Sequence, residues 1–539
     1  MKRFTLFTFI LVAALIKSVS VWAIIPEPQS YVRSASSFIF TPKTIWAVEN
    51  DEQAELASLL VKQIEKCSGF SMGIIPNDRA SKNVVRFITD ETMRDEQYQL
   101  IVDSRAISII ASSRKGFFNA LQSLRQLLPA EIESAQPAGV IEVVAQGGII
   151  KDNPYLEIRA IRLKKQNTSL SKEDMFKFID LMGLHKLNRL YWDPIDENGM
   201  PFDKDALHEI GAFASLHCIE LSSEEANIDE QMTNPNLDNT IILEPEEVEC
   251  TLKDIYMYKP GSGLRYSNQL QGMIGNILGG ESNMTIYDAW RAFPNGAAFA
   301  DICWSGNKEK NWKQFLRNLD ILIPVYKAMR IDYSKLMYEL NYQTTVKDRK
   351  VQLRIHTVRP DIDIRYTTGG ETPTRSSSLL SNPIMITENK KIFAIGFQEN
   401  AEMSDPLFLD FQFNKATAKP IFSPKTKKPF ILVDGLSSFA DEMDGWVYFP
   451  DNKAIMTIDL LENTPINKIA FGVIGGKKAE ILVSQDGAHF SPVKTIQLNN
   501  EQERFEVNKL GANGRFVKLI IYAEDIETTP LRMDEIVIL

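Results

Sequence analysis

The 539-residue chain reads as a multidomain protein: an α/β domain, then alternating strands and helices of the kind that closes into a barrel, then an all-β part. Three observations predict this. The length exceeds what one core serves, and at roughly 100–200 residues per domain it allows three to five domains. Up to residue 345 the apolar residues switch between strand-like alternation and helical spacing. From residue 346 the helical period disappears, and strand-like runs alternate with turn signals such as Thr368-Gly369-Gly370 and Asp486-Gly487.

The first 23 residues predict a cleaved signal peptide: Lys2 and Arg3, an apolar stretch from Phe4 to Ile16, and Val21-Trp22-Ala23 before the cut. Lys17 interrupts the apolar run short of the roughly 18 residues a membrane anchor needs. No cysteine follows to carry a lipid, and no later segment is apolar enough to span a bilayer. An exported protein is expected, in the periplasm, at the cell surface or outside, with no membrane insertion after cleavage.

Residues 24–150 form the α/β domain. Leu56, Leu59, Leu60 and Ile64 fall at helical spacing, with Gly69 as a stop. Tyr98 to Val102 and Ala106 to Ala111 alternate as strands joined at Asp103-Ser104, and a helix opening at Gly116 puts Phe117, Ala120, Leu121, Leu124 and Leu127 on one face. Residues 151–345 alternate. Strands are predicted at Ile158 to Leu163, Leu187 to Trp192 and Ile219 to Leu221, with helices starting at Ser171 and Ala206 between them. The all-β part divides near Lys415 to Lys428, a stretch rich in Lys, Pro, Thr and Ser, into residues 346–418 and 419–539.

A formal net charge of −10 argues against nucleic acid or an anionic membrane as partner, since both want a basic face. The four cysteines, Cys67, Cys218, Cys250 and Cys303, lack paired metal-ligand spacing, so neither a zinc site nor any other metal or cofactor is expected. Export permits a disulfide, but a large cored protein needs none, and buried free thiols are the default reading.

Three stretches, in order along the chain, resemble the family 20 glycoside hydrolases, the exo-β-N-acetylhexosaminidases. Tyr98-Gln99-Leu100, Ser113 to Phe118 and Leu121 to Leu128 are similar to the accessory α/β domain before their barrel. Ile179 to Asn188 resembles the helix leading into their second barrel strand. Leu278 to Ser282, Phe293-Pro294 and Ala298 to Ser305 resemble the final strand region. Downstream, Ile364 to Thr374 is similar to the small β-domain that often follows these barrels. Val433-Asp434-Gly435, Trp446, Ser484 to Gly487 and Arg515-Phe516-Val517 resemble a discoidin-like (coagulation-factor type C) jelly roll. The implied architecture is an α/β domain, a truncated or irregular TIM-like barrel, a small β-sandwich and a C-terminal jelly roll.

The resemblance also implies a catalytic Asp-Glu pair in a His-x-Gly-Gly-Asp-Glu motif. There the Glu protonates the leaving oxygen and the Asp orients the substrate's acetamido group. No histidine here precedes such a motif. Two Asp-Glu dipeptides occur in the barrel region. Asp196-Glu197 falls in a strand 2 motif whose two histidines are replaced by Tyr191 and Asp193. Asp229-Glu230 follows strand 3 with no strand 4 before it, and a solvated acidic loop is its better reading. Between Leu221 and Thr251, which already resembles the segment after strand 7, about thirty residues cannot hold three strand–helix units. No catalytic residue is therefore assigned, and Asp229, Glu230, Glu197 and Glu220 are the alternatives for a relocated acid. Arg159 matches the family's sugar-gripping strand 1 arginine, or is a structural arginine paired to a carboxylate. Trp304 matches a pocket-wall tryptophan, or is plain core. Asp196 keeps the place of a buttressing acid. In the jelly roll, Trp446, Tyr448 and Phe449 could face a sugar, but their strand-like alternation favours core packing.

The expectation is an exported hexosaminidase-like protein that acts on or binds N-acetylhexosamine-containing glycans, with hydrolysis lost or strongly reduced. The alternatives are an active hexosaminidase with relocated carboxylates, and an interaction protein whose barrel only spaces its end modules.

Overall fold

The computed structural model describes residues 23–76, 82–134, 142–163, 170–194, 200–223, 240–243, 252–260, 272–277, 293–398, 401–402, 404–424, 426, 428–437, 445–499, 502–523 and 531–539. The predicted signal peptide up to residue 22, Cys250, and the candidates Asp196, Glu197, Asp229 and Glu230 lie outside them. Contacts divide the chain into two units, Met1–Ser334 and Lys335–Leu539.

The first unit opens with a seven-stranded sheet built from β1 (Ser30–Ile39), β2 (Ile45–Val48), β3 (Gly73–Pro76), β4 (Val84–Thr89), β5 (Tyr98–Val102), β6 (Ala106–Ala111) and β7 (Val144–Asp152), in the order β1-β7-β5-β6-β4-β2-β3. Helix α1 (Asp51–Ser68) packs Leu56, Leu60, Val61 and Ile64 inward. The Asn50 side chain accepts the Gln53 N–H at its start, and Gly69 ends it in the left-handed conformation at φ 75°. Helix α2 (Arg114–Gln126) departs from expectation. Its predicted apolar face is buried, but so are Phe118, Asn119, Gln122, Ser123, Arg125 and Gln126 on the other side. A helix buried all round lies between two layers, and here α3 of the following region packs on it.

That region is β8 (Ile158–Leu163), α3 (Lys172–Leu184), β9 (Arg189–Trp192), α4 (Lys204–Leu216), β10 (Glu220–Ser223), β11 (Thr240–Leu243), α5 (Leu252–Met257), β12 (Gly272–Ile277), α6 (Asn295–Ser305) and α7 (Trp312–Ala328). Its five strands form one parallel sheet in the order β10-β9-β8-β12-β11. Among the described residues nothing pairs β10 with β11. Ser171 caps α3 by accepting the Asp174 N–H, and Asp203 caps α4 through Ala206.

Buried ion pairs join the two layers. Arg125 of α2 binds Glu133 at 2.6 Å and Asp180 of α3 at 2.7 Å. Burial alone would raise the Asp180 carboxyl; Arg125 and His217 outweigh it and hold the group well below the usual carboxylate range. His185 donates from Nδ1 to the Ile25 carbonyl (3.1 Å), so its Nε2 accepts the Tyr326 hydroxyl at 2.7 Å. Burial pushes that imidazole down to about 3.

The second unit starts at Lys335, ahead of the expected boundary at 346, and its first strand is β13 (Asn341–Lys347). With β14 (Lys350–His356), β15 (Asp363–Thr367), β16 (Ser378–Leu379), β17 (Ile384–Ile386), β18 (Lys390–Gln398), β19 (Ala401–Glu402) and β20 (Leu407–Phe411) it makes a three-stranded and a five-stranded sheet. A seven-stranded antiparallel sheet follows: β21 (Ile421–Phe422), β22 (Val447–Phe449), β23 (Lys453–Ile474), β24 (Gly476–Ser484), β25 (Ser491–Gln497), β26 (Arg504–Ala523) and β27 (Leu531–Ile538). The 22-residue β23 serves three partners, β26 along most of its length, β27 from Ile469 on and the short β21 at Thr457 and Ile458. Its core includes Ile458, Phe471, Leu519 and Ile536. In β22 the aromatic residues split: Phe449 is buried, whereas Tyr448 is 53% exposed.

Candidate functional site

Alternation along β8 sends its side chains to opposite faces of the parallel sheet. On one side, Phe299 of α6 packs over Gly275 of β12, and Arg159 lies 5.0 Å from the Trp304 ring of the same helix. On the opposite side, Ala160, Tyr191 and Ile274 form a small buried apolar cluster with Ile158 against it, and Arg162 stands over the Tyr191 ring at 5.6 Å.

The sequence singled out Arg159 and Trp304, and the structure places both on the helix-covered side. Arg159 is 1% exposed and Trp304 is 0% exposed. The guanidinium holds Glu96 with two bonds of 2.8 Å and donates to the Lys186 carbonyl at 2.9 Å and the Leu156 carbonyl at 2.7 Å. The Trp304 indole donates to Asp152 at 2.9 Å, and Asp152 also takes the Tyr98 hydroxyl (2.6 Å) and the Lys186 ammonium (3.1 Å). Lys186 in turn lies 4.5 Å from the Trp304 ring. Arg159 and Trp304 therefore meet, but as a satisfied buried network at the amino end of β8, the end opposite to that where parallel barrels open their sites. The alternative reading of Arg159, a structural arginine paired to a carboxylate, describes its contacts; the expected grip on a sugar does not. Gly306, at φ 64° directly after α6, is required here, because a Cβ would stand 2.4 Å from the Tyr155 ring.

The Arg162 side also carries polar groups. The register sets Glu220 of β10 beside Arg189 of β9, and Arg162 beside Tyr191. Glu220 binds Arg189 at 2.5 Å, and Arg189 reaches the Tyr191 hydroxyl at 3.4 Å. A closed barrel fills this face with layers of branched apolar side chains; among the described residues the apolar cluster on it is three residues with charged neighbours. Arg162 is 5% exposed and Asp193, at the carboxyl end of β9, is 8% exposed. Arg162 Nε and Asp193 Oδ2 are buried without a hydrogen-bond partner among the described residues. A buried donor or acceptor left unmade is destabilising by roughly 1–3 kcal/mol, and near the carboxyl ends of parallel strands such groups are where ligands bind. Sequence reading passed over Arg162. Period-two alternation was the available signal, since it sends Arg159 and Arg162 to opposite faces.

Of the four alternative acids, only Glu220 is among the described residues. Its side chain is 60% exposed, ion-paired with Arg189, and placed at the first residue of its strand. A general acid needs the reverse setting, a dry pocket that keeps it protonated. A cavity of about 560 Å³ beside it is lined by Asp95, Arg114, Lys115 and Cys218 among others. Its charges are engaged with neighbours: Arg114 with Glu55 at 2.8 Å, Lys115 with Asp95 at 3.0 Å. Burial pushes the Cys218 thiol up to about 11, with Arg114 opposing, so it is no activated nucleophile. Cys67, Cys218 and Cys303 are free thiols, Cys218 half-buried. No group of three His, Cys, Asp or Glu residues among the described ones is arranged to hold a metal ion, and no described helix is long and apolar enough to cross a membrane.

Two segments match family models. Residues 22–143 match "Glycosyl hydrolase family 20, domain 2", and residues 342–407 match "Chitobiase/beta-hexosaminidase C-terminal domain". Over these two segments the chain is similar to family 20 β-hexosaminidases. It is 34% identical over 171 residues to a β-hexosaminidase of Porphyromonas gingivalis, covering 31% of this chain and 22% of that one. To β-hexosaminidase subunit A1 of Dictyostelium discoideum it is 23% identical, covering 40% of each. The chain thus spans well under two thirds of these relatives' lengths. Among solved structures, the family 20 β-N-acetylhexosaminidase of Streptomyces coelicolor aligns with a TM-score of 0.49 at 16% identity, over 57% of this chain and 97% of that one.

Proposed function

We propose that the chain is an exported, hexosaminidase-like protein that binds N-acetylhexosamine-containing glycans at the Arg162 face of its parallel sheet and has lost, or nearly lost, hydrolysis. The observation that carries this reading is the pair of unmet polar atoms, Arg162 Nε and Asp193 Oδ2. A sugar presents hydroxyls that both accept and donate, so one ring can satisfy both, and neither bond requires proton transfer. Asp196, three residues beyond Asp193, remains a candidate contact. Arg159 and Trp304 act from behind the sheet by fixing β8 and α6. Residues 419–539 are read as a discoidin-like jelly roll, which would place the sheet site among secreted glycan-binding modules.

Loss of hydrolysis rests on the absent acid pair. General acid–base catalysis contributes about 10² to 10⁴ in rate, and without the acetamido-orienting acid the substrate's own nucleophile is unaligned. The purified chain should release no detectable phenol from aryl β-N-acetylglucosaminides or galactosaminides, yet bind N-acetylglucosamine oligomers, with affinity weakened about tenfold or more by Arg162→Met. Steady turnover abolished by Glu230→Gln or Glu197→Gln would establish the active alternative. Unchanged binding in Arg162→Met would remove the sheet site.

A further inference from the structure

We propose that the second unit holds its own saccharide site, a cleft between β13 and the helical turn Pro429–Val433 that takes one neutral sugar ring. The cleft has a volume of about 240 Å³. That is below the roughly 300 Å³ at which pockets for drug-sized ligands begin, and so admits a single small ring. Both modules supply its walls: Tyr342, Gln343 and Thr345 from β13, and Lys428, Phe430 and Asp434 from the turn and its flanks.

The lining fits a polyhydroxylated ring. Half-buried Tyr342 and Phe430 provide flat apolar surface with a polar rim. Gln343 and Thr345 are exposed on the same strand edge and offer donors and acceptors. At the wall Asp434 is only 2% exposed. One of its oxygens takes the Leu436 N–H at 2.9 Å and the other takes the Thr344 hydroxyl. A carboxylate has about four lone-pair sites, so acceptor capacity remains on both oxygens for ligand hydroxyls. Lys428, exposed at the rim, is the one basic residue in the lining, and the buried wall is Asp434, whose carboxyl burial pushes up to about 7; a wall without a full buried charge favours a neutral ligand over a phosphate or an acidic sugar.

This site shares no residue with the sheet site and rests on the preceding reading only for the choice of N-acetylglucosamine as the first probe. Saturation-transfer NMR and calorimetry on the full chain should detect N-acetylglucosamine, glucose or galactose. Phe430→Ala and Gln343→Ala should each weaken binding about tenfold, with the thermal midpoint reporting that the variants remain folded. Arg162→Met should leave this binding unchanged. Binding that survives Phe430→Ala and Gln343→Ala but disappears in Arg162→Met would overturn the proposal while sustaining the sheet site. Failure of all three sugars to bind would also overturn it. Loss confined to the cleft variants would establish it, whatever becomes of the sheet site.

Discussion

Arg159 and Arg162 stand on the same strand, 1% and 5% exposed, yet one is bound on every side while the other has an unmet Nε. Burial by itself therefore does not separate a structural charge from a functional one. What separates them is whether the protein already supplies the partners. Arg159 is closed by a carboxylate, three carbonyls and an indole face. Arg162 stands over one ring face, and its Nε has no hydrogen-bond partner among the described residues.

The largest effect should come from breaking the satisfied side. Arg159→Met leaves Glu96 and the Lys186 carbonyl without their partner in a buried junction. Removing one member of a buried ion pair is destabilising by about 3–5 kcal/mol. Urea unfolding of the full chain should lose that much stability in the transition of the first unit; a loss below about 1 kcal/mol would mean the network contributes geometry and no stability.

The sequence made much of this architecture legible. Ile158–Leu163 was read to the residue, and Ser171 was read as a helix start because a serine before an apolar period caps a helix. Helix α2 was half legible. Its apolar stripe is visible in sequence, whereas Ser123, Arg125 and Gln126 look like a solvated face until Tyr98, Glu133, Asp180 and Leu184 arrive from far along the chain. Arg159 attracted attention through family likeness, and likeness says nothing of what packs against it. Arg162 carried no motif, and its significance lies in missing partners, which no sequence displays. Between Leu221 and Thr251 the sequence argued against three strand–helix units, and one strand, β11, is described there.

Acid and base should separate the two units in opposite directions. In the first, His185 is held down to about 3 from 6.5 by burial. The unfolded chain then binds the extra proton, so this contribution is full above 6.5 and is lost as pH falls toward 3; Asp180, also held low, acts in the same direction. In the second, burial pushes Asp434 from 3.8 up to about 7, against the Thr344 hydroxyl and the Leu436 N–H and with help from Asp534. Burial, with Asp434 beside it, also raises Glu535 well above its ordinary value. The folded chain keeps these protons, so their contribution is full below 3.8 and is lost as pH rises through about 7. Each arm is worth on the order of 3 kcal/mol. Unfolding followed from mildly acid to mildly alkaline pH, with a probe in each unit, should show the first unit gaining stability while the second loses it. Parallel profiles would contradict the assignment of these buried groups.

The smallest change in stability, and the sharpest test of the comparison, belongs to Arg162→Met. The substitution removes a buried charge whose Nε has no partner, and a charge of that kind is often replaced by an apolar side chain at no loss. Against that stands the cation–π contact with Tyr191, worth about 0.5–2 kcal/mol. The two terms oppose, so the unfolding free energy should move by no more than about 1 kcal/mol in either direction. Methionine also keeps an unbranched stem that can cover Ala160 and Ile274. If Arg162→Met destabilises the first unit as much as Arg159→Met does, then Arg162 is a structural residue whose partners lie in neighbouring segments, and this face of the sheet loses its claim to a ligand. A near-neutral stability change together with lost glycan binding is the result expected of a residue kept for what it binds.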